Sequence, residues 1–172
     1  PGGPGYLEIP FFDYYTGKIA LLVKPEEAKN RLTKFIDESR DSENRKSAYR
    51  YLAWYHLLKD EEQSAEIYRQ KVLSNDEESL TGSDKQAVDE AGRGFNIFLI
   101  KARLDFDAGR YAKVVEVLKP AQINEHCIRD WEKQEFYYRR GRALQELGLV
   151  EQAIPAFLKA MDYKAESTFS LA

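Results

Sequence analysis

The stretch Tyr137–Ala160, YYRRGRALQELGLVEQAIPAFLKA, decides the fold of this chain. Its small and apolar residues recur three to five positions apart, which is the spacing of two helices that meet at a tight turn. These residues are Gly141, Leu144, Gly148, Ala153, Phe157 and Ala160. Gly141 and Ala153 are small enough to let the two helices approach closely. Phe157 fills the space between these helices. With Gly148 supplying the permissive backbone of the turn, the stretch predicts an antiparallel helical hairpin.

The same spacing recurs less regularly towards the N-terminus, at the anchors Ala102, Ala53 and Gly17. The turn position is Gly109 in the third copy and Asp60 in the second, whereas the first copy has a turn one residue shorter before Pro25. The predicted repeats cover residues 9–38, 46–74, 95–122 and 134–164. No alternating strand pattern is present, so we expect an all-α chain whose residues 1–172 form a single repeat domain.

Two stretches exceed the repeat length. Residues 75–94 contain turn-forming residues around Asp84–Ala91, which predicts a short extra helix capped by Ser83 or by Asp84 itself. Gln122–Asp130 predicts a longer loop. A helical pattern resumes at Glu166–Ala172, from which we expect the chain to be a piece of a longer protein.

The chain resembles the tetratricopeptide-repeat family, in an irregular form of the bacterial type. The residues at the family's characteristic places are Gly141, Gly148, Ala153, Phe157 and Ala160. Ala165 replaces the usual proline and Val150 the usual turn tyrosine. The resemblance implies a right-handed superhelix of about four antiparallel hairpins, whose first helices line a concave groove that binds peptides or partner proteins. It implies no catalysis and no cofactor.

The groove-facing positions predicted by this alignment are all basic or aromatic. They are Tyr14, Lys18, Arg50, Trp54, Arg103, Tyr138 and Arg142. Cations beside aromatic rings favour an acidic segment or one that ends in a free carboxylate. Two interpretations stay open: these residues bind a peptide, or the rings belong to the core between repeats and the cations are solvated or paired with Asp and Glu. A true carboxylate clamp is not expected, because the groove asparagines that such family members use are missing.

Composition excludes several other classes of protein. The chain has 26 basic and 29 acidic residues, a formal charge of −3, which argues against a nucleic-acid partner. Cys127 is the only cysteine, so neither an internal disulfide nor a thiol-rich metal site can form. The longest apolar stretch, Ile19–Val23, is too short to cross a membrane, so we expect a soluble chain. Its compartment and oligomeric state stay open.

Candidate catalytic groups are few. His56 lies in a predicted first helix, where packing is the more common role, and the acidic runs Asp60–Glu62 and Asp76–Glu78 are typical of helix starts rather than metal sites. An enzyme that used the adjacent His126 and Cys127 would need both side chains to converge in a cleft. We therefore expect non-catalytic binding of a protein or peptide. The alternative is a receptor for a small sugar-like molecule, which would need a closed pocket lined by Tyr and Trp.

Overall fold

The computed structural model describes residues 11–39, 43–74 and 81–163, and all of the regular structure in these residues is helical. The helices are α1 (Phe12–Ala20), α2 (Pro25–Glu38), α3 (Arg45–Leu58), α4 (Glu62–Leu73), α5 (Gly82–Arg93), α6 (Ile97–Asp107), α7 (Tyr111–Val117), α8 (Ile123–His126), α9 (Asp130–Glu146) and α10 (Val150–Asp162). Four pairs pack as hairpins, α1 with α2, α3 with α4, α6 with α7 and α9 with α10. The predicted all-α class is confirmed. Glu166–Ala172 and Asp76–Glu78 lie outside the described residues.

Three of the hairpins share one turn. Its central residue has a left-handed φ in each case, 60° at Asp60, 72° at Gly109 and 75° at Gly148. The N–H of the next residue donates to the carbonyl five positions earlier, from Glu61 to His56, from Arg110 to Asp105 and from Leu149 to Leu144, each at 2.9 Å. These bonds satisfy carbonyls that the end of the first helix leaves without a helical partner. The predicted turn positions of the last three copies are therefore confirmed.

Small residues set the distance between the helices of the first and last hairpins. A Cβ atom added at Gly141 would lie 2.8 Å from the ring of Phe157, and one added at Gly17 would lie 2.8 Å from Cγ of Leu32. Both distances are shorter than a normal carbon contact. The predicted packing of Phe157 against Gly141 is confirmed.

The chain divides into two compact units, one ending at Phe95 and one beginning at Asn96. Each unit has a core of its own. In the first unit α4 contributes Val72 and α5 contributes Ala87 and Ala91 to a shared cluster. A cluster in the second unit brings together side chains of α6, α7, α8 and α9. Its members include Leu99, Ala102, Val114, Ile123, Phe136 and Ala143. The predicted single repeat domain stays a prediction.

The extra helix α5 begins at Gly82, two residues before the predicted start, and its cap is Thr81 rather than Ser83 or Asp84. Thr81 has an extended backbone, and its hydroxyl oxygen accepts a hydrogen bond from the N–H of Asp84 at 3.2 Å. The carboxylate of Asp84 in turn accepts from the N–H of Thr81. Thr81, Ser83 and Asp84 are all residue types that can cap a helix. Thr81 is the cap because it and Asp84 each accept a hydrogen bond from the backbone N–H of the other.

Asp84 also fixes the start of α3. Its carboxylate accepts from the backbone N–H of Asn44 at 2.8 Å and of Ser47 at 2.9 Å. One fully buried side chain therefore joins the N-terminal ends of α3 and α5, where a negative charge is favoured by both helix dipoles.

The third hairpin is shorter than predicted. α7 ends at Val117, because Pro120 disfavours helical backbone at Lys119, and Ala121, which lies inside the predicted repeat, is exposed in a 3-10 turn. The loop predicted over residues 122–130 contains α8, whose residue Ile123 packs into the core. Within the described ranges, the helices lack the combination of length and apolar composition that a membrane crossing requires.

Candidate functional site

In the first unit, three of the predicted groove residues are buried. Arg50 lies against the rings of Tyr51 and Trp54, with its guanidinium carbon 4.7 and 5.2 Å from the two ring centroids. Its Nη1 atom pairs with Glu90 of α5 at 3.3 Å. Because α5 packs on α3 at this place, Arg50 and Trp54 belong to the interior, as does Tyr14. For these three residues the structure matches the core interpretation and not an open groove.

The surroundings of Tyr14 are also those of a core residue. Its hydroxyl shares a hydrogen bond with Ser47 Oγ at 2.9 Å, and burial raises its pKa above the ordinary value. Lys18, one turn further on α1, is exposed, with its Nζ atom 5.9 Å from the ring centroid of Tyr51. Of the four predicted residues in this unit, Lys18 is the one at the surface.

In the second unit, the predicted residue Arg103 connects α6 to α9. Its Nε and Nη2 atoms donate to Oε1 of Glu135 at 2.9 and 2.6 Å, and Nε of Arg139 donates to the same oxygen at 2.6 Å. Burial alone would raise the pKa of Glu135, but the charges and hydrogen bonds of Arg103 and Arg139 lower it to about 2. The carboxylate is therefore ionised and holds the two first helices of this unit side by side.

Tyr138 and Arg142 follow on the same face of α9, since they lie three and seven positions after Glu135. The ring centroid of Tyr138 is 6.0 Å from that of Phe157. The side chain of Arg142 is 42% exposed and donates to Glu146 at 3.2 Å. The hydrogen bond with Glu146 raises the pKa of Arg142, and a smaller contribution comes from Tyr138. We call Tyr138 and Arg142 the α9 patch.

The adjacent His126 and Cys127 do not form an accessible catalytic pair. Cys127 is buried in the core of the second unit, and burial, together with the charges of Glu132 and Glu135, raises its pKa to about 12. The thiol is therefore protonated at neutral pH, whereas a nucleophile needs the thiolate. The ring of His126 is stacked on Phe98, with 4.2 Å between centroids.

His56 has a packing environment. It is buried, its Nδ1 atom lies 2.6 Å from Glu61 Oε2, and its ring stacks on Tyr68 with 5.2 Å between centroids. The acidic run Asp60–Glu62 leads into α4, as predicted. Among the described residues, the His, Cys, Asp and Glu side chains form no group of three or more that could hold a metal ion.

Two buried acids that shape these surfaces were missed at the sequence level. Glu90 pairs with Arg50 from forty positions away, and no local pattern in the sequence signals such a contact. Glu135 was detectable, because Arg139 follows it at the i+4 spacing of a helical ion pair.

Comparison of the chain with family models, curated proteins and solved structures gives no match. The resemblance to tetratricopeptide repeats therefore rests on this chain's own residues and turns. Its function has to be argued from the geometry of the site.

Proposed function

We propose that this protein is a non-catalytic scaffold that binds an acidic peptide or an acidic segment of a partner protein at the α9 patch of its second unit. The observation that carries the proposal is the bridge from Arg103 to Glu135, which aligns α6 with the face of α9 that holds Tyr138 and Arg142. A guanidinium binds carboxylates with two parallel hydrogen bonds, and a tyrosine ring provides anchoring area at low entropic cost.

The proposed site is smaller than the seven-residue groove predicted from the sequence. Arg50, Trp54 and Tyr14 are interior residues, so they serve the fold of the first unit. Lys18 is exposed and remains a candidate contact of that unit.

The finer architecture belongs to the same proposal: a right-handed superhelix of about four tetratricopeptide-like repeats whose first helices line a groove. It is supported by the identical turns at Asp60, Gly109 and Gly148 and by the close contact at Gly141.

An unbiased peptide library that includes acidic C-terminal peptides tests the proposal. Peptides enriched on the wild type would be titrated calorimetrically against the wild type and Arg142→Glu at low and high salt. Arg142→Glu should weaken binding on the order of tenfold or more, because it replaces the cation with a repelling charge. Salt should weaken wild-type binding, because exposed charges are screened.

Lys159→Glu is the matched control. Lys159 is an exposed cation of α10 paired with Asp162, so the substitution makes the same charge change outside the α9 patch. Its affinity should equal that of the wild type at each salt concentration. A folded protein that enriches no acidic peptide, or an equal loss in both variants, would refute the proposal.

A further inference from the structure

Two helices, one in each unit, carry stripes of exposed apolar side chains. The α1 face consists of Phe12, Tyr15 and Ile19 of α1 together with Val23 of the turn that follows it, and these residues are 47% to 75% exposed. The α10 face is 53% to 69% exposed at its residues Val150, Ile154, Leu158 and Met161. The helical residues of each set recur three or four positions apart, so they lie along one side of their helix. Single exposed apolar residues are ordinary, whereas contiguous stripes mark contact surfaces.

The α1 face corresponds to an interface that the molecule already contains. When Gly17 is aligned with Ala53, the four positions of the α1 face fall on the α3 residues Ala48, Tyr51, Tyr55 and on Lys59. The hydroxyl of Tyr55 donates to Glu26 of α2 at 2.7 Å, and Lys59 pairs with the same carboxylate at 2.8 Å. On α3 this face therefore receives the second helix of the preceding hairpin.

The α10 face corresponds to the other side of that interface. When Ala153 is aligned with Ala28, its positions fall on the α2 residues Pro25, Lys29, Thr33 and Ile36. The Nζ atom of Lys29 lies 5.5 Å from the ring centroid of Tyr55 on α3. On α2 this face therefore contacts the first helix of the next hairpin.

The second unit repeats the relation between α7 and α9. Val115 of α7, the position equivalent to Ile154, packs against the cluster that contains Phe136 and Ala143 of α9. These two residues are the equivalents of Phe12 and Ile19. Both described interfaces between consecutive hairpins thus use the positions that α1 and α10 leave exposed.

We propose that the α10 face of one molecule binds the α1 face of a second copy of this chain, as a continuation between molecules of the interface that α2 and α3 form within one. A second copy is the occupant that the structure favours, because the chain itself presents both complementary halves of this interface. The two faces differ, so the contact is heterologous. This property is independent of peptide binding at the α9 patch.

Sedimentation velocity and light scattering of the whole chain test the proposal. The average mass should rise above the 19.9 kDa of one chain as its concentration is raised from about 1 μM to about 1 mM. Ile19→Lys and Ile154→Lys each destroy one face, so each variant alone should stay at 19.9 kDa. An equimolar mixture should form a 1:1 dimer of about twice that mass, since each variant keeps the face that the other lacks.

Ile67→Lys is the control, because Ile67 is 58% exposed on α4 and outside both faces. It should associate as the wild type does, and Leu158→Lys should behave as Ile154→Lys does. Circular dichroism would show that each variant is helical. A wild type that stays monomeric, a single-face variant that still dimerises alone, or a mixture that stays monomeric would each overturn the proposal.

Discussion

Gly141 lies where the two helices of the last hairpin come closest, and the ring of Phe157 occupies the space that a side chain would need. Glycine inside a helix lowers helix stability by about 1 kcal/mol relative to alanine. At Gly141 this cost is offset by the close packing of the aromatic ring. At this position the glycine therefore serves close packing and not backbone flexibility.

Gly141→Ala should lower the free energy of unfolding by about 1–3 kcal/mol, because the added methyl group overpacks against the ring of Phe157. Urea denaturation would measure the change. Gly92→Ala is the control, since a Cβ added at that exposed position of α5 would meet no atom within 4 Å beyond its chain neighbours and the helix's own backbone. It should be neutral or stabilising by up to about 1 kcal/mol. If Phe157→Leu fails to restore any stability to Gly141→Ala, the proposed clash is wrong.

Among the elements, the ends of several helices are stabilised by side chains from their neighbours. Lys46 donates to the carbonyls of Val72 at the end of α4 and of Ser74 just after it. Arg69 donates to Ala91 near the end of α5 at 2.7 Å, and Arg140 donates to Val115 of α7 at 2.6 Å. A cation at a helix C-terminus complements the helix dipole and satisfies carbonyls that have no helical partner. These basic residues therefore join α3 to α4, α4 to α5 and α9 to α7.

Asp84→Ala should destabilise the first unit by about 3 kcal/mol, because it leaves the partly buried N–H group of Asn44 and the buried N–H group of Ser47 without their charged acceptor. Hydrogen exchange should show faster exchange of the Ser47 amide, and urea denaturation gives the energy. Asp89→Ala removes a carboxylate from the same helix, where it forms an exposed i,i+4 pair with Arg93, and should cost less than about 0.5 kcal/mol. Equal effects of the two substitutions would contradict the capping role of Asp84.

The sequence predicted the elements whose signals are local. The spacing around Gly141, the turn at Gly148 and Pro25 at the first turn of α2 are each read from a few neighbouring residues, and all are confirmed. Asp60 was predicted at a turn position although it is not glycine, and its left-handed φ follows from the register. α8 was missed because four residues are too few to establish a helical period.

At the scale of the whole molecule, prediction of the site was limited by contacts between distant segments. The surface of Arg50 and Trp54 was inferred from the face of one helix, and only the packing of α5 shows that Glu90 closes it. Arg103 was predicted from the third repeat and Tyr138 and Arg142 from the fourth, and Glu135 joins Arg103 to the face of α9 that holds the other two. The extra helix α5 covers this face of α3, and the spacing of residues within α3 does not predict where α5 packs.

Acid should weaken the second unit through Glu135. Its pKa of about 2 in the fold is below the ordinary 4.5, so the ionised carboxylate stabilises the native state above about pH 4.5. That stabilisation, on the order of 3 kcal/mol, is lost as the pH falls from about 5 to about 2. The chain has one tryptophan in each unit, so Trp54→Phe leaves Trp131 as a fluorescence probe of the second unit during urea unfolding.

Glu135→Gln should lower stability at neutral pH and flatten this part of the pH profile, because the titrating group is gone. Glu151→Gln, on an exposed position of α10, should keep the wild-type profile. A profile that is equally steep in Glu135→Gln and in the wild type would show that other groups cause the acid sensitivity.

The turns at Asp60, Gly109 and Gly148 also bear on how the chain folds. Each joins two helices that follow one another directly, so a hairpin forms by closing a loop of only a few residues, which costs little entropy. Each hairpin is also contiguous in sequence, so its residues leave the ribosome one after another without an intervening segment. A nascent chain can therefore bury its apolar surface in steps during synthesis, which shortens the time in which that surface is open to aggregation.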